Sequence, residues 1–189
     1  MRILVIGDFH IPNREKTIPS QILEKIQNTQ FDLILCTGDL TNPEIFNQLE
    51  SLGPVRNVIG NMDYYFGNRN FPRFEVIKLD NYELGLIHGT GIRPRGNPEQ
   101  ISKIANEMNV DILISGHTHL QSARMFNDKL LLNPGSATGS WGGGPSTGVP
   151  SFQILEKVND ELRITNIALK SGRLSSHINI YNLKSKKFV

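Results

Sequence analysis

Seven residues able to bind metal recur in one kind of place along the chain. Asp8 and His10 follow the apolar run RILVIG, Asp39 follows LILCTG, and Asn61 follows VRNVIG. His88 closes YELGLI, and His117 and His119 follow DILISG. Four of the five histidines therefore sit just past short apolar segments, as do the two aspartates and the asparagine. Neutral imidazole suits Zn, Mn, Fe or Co, whereas carboxylate and amide oxygens favour harder ions. Cys36 is the single cysteine, so a structural thiolate zinc site is excluded and no internal disulfide can form. Seven donors are more than one catalytic ion takes from protein. They suit two divalent metal ions (Mn²⁺, Zn²⁺ or similar) sharing a bridging carboxylate. Ions ~3.5–4 Å apart clamp the attacking and leaving oxygens of a phosphoryl displacement. His177, the remaining histidine, reads as structural.

These donors need elements to place them. The runs before them are short, rich in Ile, Leu and Val, and apolar without clean alternation, as in strands buried on both faces. Helical segments lie between. IPSQILEKIQN carries Pro19 near its first turn and Ile22, Leu23 and Ile26 at helical spacing. NPEQISKIANEMN offers Asn97 as N-cap, Pro98 at the first helical position, and an apolar face of Ile101, Ile104, Ala105 and Met108. Strands alternating with helices predict an α/β fold with a mainly parallel sheet, and ligands in such sheets collect beyond the carboxyl ends of the strands. From about residue 130 the texture becomes strand, Gly/Ser/Pro loop and strand, then two β segments around Ser171–Gly172. These are expected to form a second, largely antiparallel sheet within one domain spanning residues 1–189.

Composition sets outer limits. With 38% apolar and 20% charged residues, the chain is long enough for one sizeable core. A net charge of +2 gives no strong nucleic-acid signal. Lys170, Arg173, Lys184, Lys186 and Lys187 crowd the C-terminal stretch without an acidic residue. That stretch reads as a solvated strand and tail, or at most as a weak contact with an acidic partner or membrane surface. Cys36, inside LILC, reads as a buried small hydrophobe and fits a reducing compartment. MRILVIGDFH turns polar too soon for a signal peptide, and no apolar run reaches transmembrane length. The expectation is a soluble, cytoplasmic protein, peripheral to membranes only through a partner.

Taken together, GDFH, TGDL, GNMD, LIHG and SGHTH resemble the calcineurin-type metallophosphoesterase signature D-x-H … G-D … G-N-x-D … H … G-H-x-H. The resemblance implies a four-layer α/β/β/α sandwich with two packed mixed sheets. It also implies that Asp8, His10 and His119 hold one ion, that Asn61, His88 and His117 hold the second, and that Asp39 bridges them. The implied activity is that of a phosphoesterase, more narrowly a phosphodiesterase, whose metal-bound hydroxide attacks phosphorus in line. Asp63 completes the GNMD motif. Larger members of the family carry, where Met62 stands, a histidine that protonates the leaving oxygen. A thioether cannot donate a proton, and general acid catalysis is worth roughly 10²–10⁴-fold. Small bacterial and archaeal phosphodiesterases of the family also lack that histidine.

A second resemblance covers most of the chain. GDFHIPNR, LILCTGDL, DILISGHTH, NPGSATG and PSF are similar to the retromer subunits of the vacuolar protein sorting-associated protein 29 family. It implies an alternative role as a scaffold on a helical-solenoid partner in a membrane-sorting coat, with a metal site that is structural or vestigial. Eukaryotic members of that family depart at the bridging-aspartate and asparagine positions, where this chain has Asp39 and Asn61. Arg93 and Arg95 after Ile92 are ordinary loop charges whose guanidinium groups also match phosphate. SWGGGPSTG could be a lid, a docking loop anchored by Trp141, or a plain connection. It lacks the P-loop pattern, and nothing supplies the extra domains or basic groove of a nuclease.

Overall fold

The apolar runs become short strands because too few residues separate their turn signals for a helix, and both of their faces are apolar. The computed structural model describes residues 1–66, 70–144 and 146–189. In chain order the first elements are β1 (Arg2–Ile6), α1 (Ser20–Gln27), β2 (Leu33–Cys36), α2 (Pro43–Glu50) and β3 (Val55–Asn57). A 3₁₀ turn over Asp63–Phe66 precedes β4 (Phe74–Leu79), β5 (Tyr82–Ile87), α3 (Pro98–Glu107) and β6 (Ile112–Ser115). The chain ends with β7 (Ser122–Phe126), β8 (Lys129–Asn133), β9 (Ser151–Val158), β10 (Glu161–Lys170), β11 (Arg173–Asn182) and β12 (Lys187–Phe188).

Two mixed sheets result. One has seven strands in the order β12-β11-β10-β9-β1-β2-β3, and the other has five in the order β4-β5-β6-β8-β7. β1, β2 and β3 run parallel, as do β5, β6 and β8. Ile3, Val5, Leu35 and Leu155 from the first sheet meet Leu84, Ile112, Ile114 and Leu132 from the second in one buried cluster. On the outer face of the seven-stranded sheet, Leu4, Ile6 and Ile34 pack with Ile22 and Ile26 of α1 and Ile45 and Leu49 of α2. On the outer face of the other sheet, Leu113 and Leu131 pack with Ile101 and Ala105 of α3. The layers are α/β/β/α, as the first resemblance implies. Among the described residues no helix is long and apolar enough to cross a membrane.

Two sequence expectations need correction. The C-terminal strands do not make a separate antiparallel sheet: β9 pairs antiparallel with β1, with Arg2 opposite Glu156, and β10 and β11 extend that sheet. The five-stranded sheet is parallel at its centre with antiparallel edges, whereas the seven-stranded sheet is parallel on its β1-β2-β3 side and antiparallel from β9 outward, so "mainly parallel" describes only part of each sheet. The second correction is α2, a helix absent from the sequence reading. It begins as α3 does, with Asn at the N-cap and Pro next: Asn42 Oδ1 accepts from Glu44 N, and Asn97 Oδ1 accepts from Gln100 N.

Candidate metal centre

The loops leaving the parallel strands β1, β2 and β3 are zipped together before any donor side chain is considered. Asp8 N donates to the Gly38 carbonyl at 2.9 Å, and both Phe9 N and His10 N donate to the Asp39 carbonyl at 3.0 Å. Asp63, buried, ties in the third loop. Its Oδ2 accepts from Asp39 N and Gly60 N, each at 2.8 Å, and its Oδ1 accepts from Thr41 N at 3.1 Å. From the other side, Ser136 Oγ donates to the Asp8 carbonyl (2.7 Å) and Thr138 Oγ1 to the Phe9 carbonyl (2.9 Å). The glycines of the motifs have a steric reason. A Cβ at Gly60 would stand 2.0 Å from Asp39 Oδ1 and 2.4 Å from Asp39 N, and one at Gly116 would stand 2.6 Å from Asp8 Oδ2. Asp8, His10, Asp39, His117 and His119 all have left-handed backbones, with φ from 51° to 67°. Non-glycine residues there cost on the order of 1–3 kcal/mol each and persist only where surrounding bonds hold them.

All seven sequence-predicted donors converge. His10 Nε2 and His119 Nε2 lie 3.2 Å apart, and Asp8 Oδ1 is 3.2 Å from His119 Nε2. His88 Nε2 lies 3.2 Å from both Asn61 Oδ1 and His117 Nδ1. Between these groups sits one oxygen, Asp39 Oδ2, 3.5 Å from His10 Nε2 and 3.4 Å from His88 Nε2. The other Asp39 oxygen, Oδ1, accepts from Met62 N at 2.7 Å. Asp8, His10 and His119 make one group with ligand atoms within metal-holding reach, and Asp8, Asp39 and His88 make another.

Several features fit these residues to cations. Donor atoms each ~2.0–2.2 Å from one ion stand ~3–3.5 Å from one another at ordinary coordination angles, which is the spacing found. His88 Nδ1 donates to the Thr37 carbonyl at 2.6 Å, and His119 Nδ1 donates to the Ser140 carbonyl at 2.7 Å. Both imidazoles, when neutral, therefore present a bare Nε2 lone pair to a carboxylate. Two acceptors held face to face need a proton or a cation between them. Asp8 Oδ1 and His10 Nδ1 are buried without a hydrogen-bond partner among the described residues, and buried carboxylates lacking Lys or Arg partners are costly unless a metal or imidazolium compensates.

The electrostatics without metal follow from that arrangement. Burial lowers the His10 pKa to about 4, against the raising charges of Asp39 and Asp8. Burial, then the charges of His88 and Arg95, lower His117 to about 4. Burial also pulls on His88, but the Asp39 charge and hydrogen bond outweigh it and hold His88 up at about 9. His119 moves upward likewise: burial is overcome by the Asp8 carboxylate, 3.2 Å from its Nε2. Asp39 is pulled down to about 2, because the His88 charge and hydrogen bond overcome burial.

Met62 touches the centre through its backbone N–H. Arg95 donates to the Gly142 carbonyl and Arg14 to the Trp141 carbonyl, so two guanidinium groups flank the donors. Arg14 went unnoticed in the sequence, where nothing local links residue 14 to the loop at 141. Arg93 is exposed and meets Gln100 through its backbone. Trp141 is exposed, while Gly142 beside it lies against the His119 ring. His177 is exposed on β11. In the basic tail, Lys184 pairs with Asp160 at 2.7 Å and Lys186 with Asp111 at 2.9 Å, as a solvated strand and tail would. Cys36 is buried and free.

Fold and donor set define a class: an α/β/β/α sandwich with a largely buried cluster of N/O donors able to hold metal at the carboxyl ends of its parallel strands. The family model "Calcineurin-like phosphoesterase superfamily domain" matches residues 1–157, and the chain belongs to that superfamily. Among curated relatives, the "Probable metallophosphoesterase" of Methanothermobacter thermautotrophicus is 44% identical over 166 residues, covering 86% of this chain and 91% of the relative. Among solved structures, wild-type Vps29 of Entamoeba histolytica complexed with Zn²⁺ superposes with a TM-score of 0.86 at 37% identity, covering 94% of this chain and 98% of that one. Chaetomium thermophilum Vps29, complexed with a cyclic peptide, gives a TM-score of 0.82 at 26% identity, covering 96% and 97%.

Proposed function

We propose that the chain is a metal-dependent phosphodiesterase that works with two divalent ions. The observation that carries this reading is the position of Asp39 Oδ2, 3.5 Å from a histidine of one donor group and 3.4 Å from a histidine of the other. Asp8, His10 and His119 would hold one ion, Asn61, His88 and His117 the second, and Asp39 both. When bound, such ions supply Lewis acidity towards phosphoryl oxygens and lower the pKa of water. The chain itself supplies orientation. Asp63 fixes the backbones of Asp39 and Gly60, and Met62 N–H engages Asp39 Oδ1 so that Oδ2 faces the donors. Thr37 and Ser140 set the tautomers of His88 and His119. Arg14 and Arg95 bring positive charge to the mouth, where a guanidinium can pair with a phosphate oxygen. Met62 has no proton to give, so the leaving group departs without a side-chain acid at this position.

The test is hydrolysis of bis(p-nitrophenyl) phosphate by metal-stripped protein after Mn²⁺, Zn²⁺ or Mg²⁺ is restored separately. Wild type should turn over, and Asp39→Ala should lose turnover together with the ion pair. Unchanged turnover in Asp39→Ala would sink this site. A second reading has its own support, the likeness to Vps29 over nearly the whole chain. In it the protein docks on a helical-solenoid partner, at membranes only through that partner. Two bound ions without turnover on a broad phosphoester panel would favour it.

A further inference from the structure

Beside the donor cluster lies a cavity of about 570 Å³, and His88 and Gly60 form part of its wall. Its character changes with distance from the donors. The walls are Ile59, Ile87 and Ile92, all buried, with Ile104 of α3 and Met108, which caps that helix. Phe74 and Tyr64 stand at the rim and leave much of their surface in water. Polar groups are few: Arg73, Thr90 and Glu107 line the remainder. A cleft of this size, mostly apolar with a few polar groups and open to a cluster of perturbed titratable residues, has the make-up of a small-molecule subsite.

We infer that this cavity receives the organic substituent of the phosphoester, and that the substituent is aryl or comparably large and apolar. The inference rests on the phosphodiesterase reading above. Continuity decides the occupant. His88 belongs to both the donor cluster and the cavity wall, so a phosphoryl group at the donors projects one of its ester groups along Gly60 and Thr90 into the apolar space. A methyl ester would leave that space to water. An aromatic ring would cover Ile87, Ile92 and Ile104 and meet Phe74 and Tyr64, whose rings favour offset or edge contacts with another aromatic group.

The experiment compares binding of phenylphosphonate and methylphosphonate to the Mn²⁺-loaded protein by calorimetry, alongside turnover of bis(p-nitrophenyl) phosphate. Phenylphosphonate should bind about tenfold more tightly or better, from the apolar area it removes from water. Ile104→Trp should fill the cavity and bring the ratio close to one. Thr90→Trp, at an exposed loop position, does the same without touching the core, and thermal melting checks that each variant is folded. Equal binding of the two phosphonates by wild type, or a ratio undiminished in both folded variants, overturns the cavity assignment. Preferential phenylphosphonate binding without turnover leaves the cavity standing and sinks the phosphodiesterase reading. Turnover with equal binding, or with neither phosphonate bound, does the reverse, and absence of both binding and turnover sinks both.

Discussion

The two halves of the donor cluster are built differently. Asp8, His10 and His119 are 0%, 1% and 3% exposed, and all three have left-handed backbones. In the other half only His88 is buried, Asn61 and His117 are partly open, and His117 alone is left-handed. The first half is locked from two sides, through the Asp39 carbonyl and through Ser136 and Thr138. The second faces the apolar cavity. A strained, dry set of donors held by many bonds is already organised for an ion. A looser, wetter set is organised for exchange and for meeting a substrate. On the two-ion reading, one half of the cluster is built for retention and the other for access.

The largest expected effect tests that asymmetry directly. His10→Ala should weaken the tighter of two metal-binding steps by more than the ~10–100-fold that loss of a mere outer partner costs. His117→Ala should weaken only the looser step and leave one ion bound after dialysis. Titration with Zn²⁺ and metal analysis by mass spectrometry read both steps. Equal losses in the two variants, or loss of the tight step in His117→Ala, would erase the distinction between the halves.

The pH response should, by contrast, treat the halves alike, because each contains one histidine depressed to about 4. An unfolded histidine titrates near ~6.5, so the unfolded metal-free chain takes up protons first as pH falls. The stability contributed by His10 and His117 is present above ~6.5 and is lost as pH falls towards ~4. His88 works in the opposite sense. Its pKa is raised to about 9, so its contribution is present below ~6.5 and disappears as pH rises through 9. Thermal melting of the chelator-treated protein should therefore peak near neutrality. His10→Ala and His117→Ala should each flatten the acid limb by similar amounts. An acid limb unchanged in both variants would mean that neither imidazole is held neutral by burial.

Much of this was legible in the residues and some was not. The seven donors announced themselves because each follows a short apolar run, and the α/β class followed from the same runs. The N-cap and proline of α3 were legible for a local reason, and Asn42–Pro43 at α2 carried the same mark unread. Strand partnership was not legible. Nothing local in SFQILEKV says that it pairs antiparallel with RILVI, because pairing is decided by which apolar faces meet in three dimensions. The orienting partners were hidden for another reason. Thr37 and Ser140 act through backbone carbonyls, so no side-chain pattern marks them; Asp63 was marked by the GNMD motif, but its task of accepting three backbone N–H groups was not. The cavity draws its walls from α3 and from segments near residues 59, 74 and 92, which only the fold brings together.

The smallest effect should come at Met62. Among the described residues, the hydrogen bond that ties this residue to the cluster is its N–H bond to Asp39 Oδ1, 2.7 Å long, and any non-proline residue keeps that bond. The thioether can neither donate nor take a proton near neutral pH. Met62→Ala should therefore change kcat/KM for bis(p-nitrophenyl) phosphate by less than about threefold, well inside the 10²–10⁴-fold that a general acid supplies. Met62→His makes the result diagnostic. An imidazole there could protonate a departing oxygen, so any gain should grow as the leaving group becomes more basic and should be slight for nitrophenolate. Rates across phosphodiesters of graded leaving-group pKa decide the matter. A large loss in Met62→Ala on the nitrophenyl ester would mean that the methionine packs the second half of the cluster into shape, and the access half would then be less loose than its exposure implies.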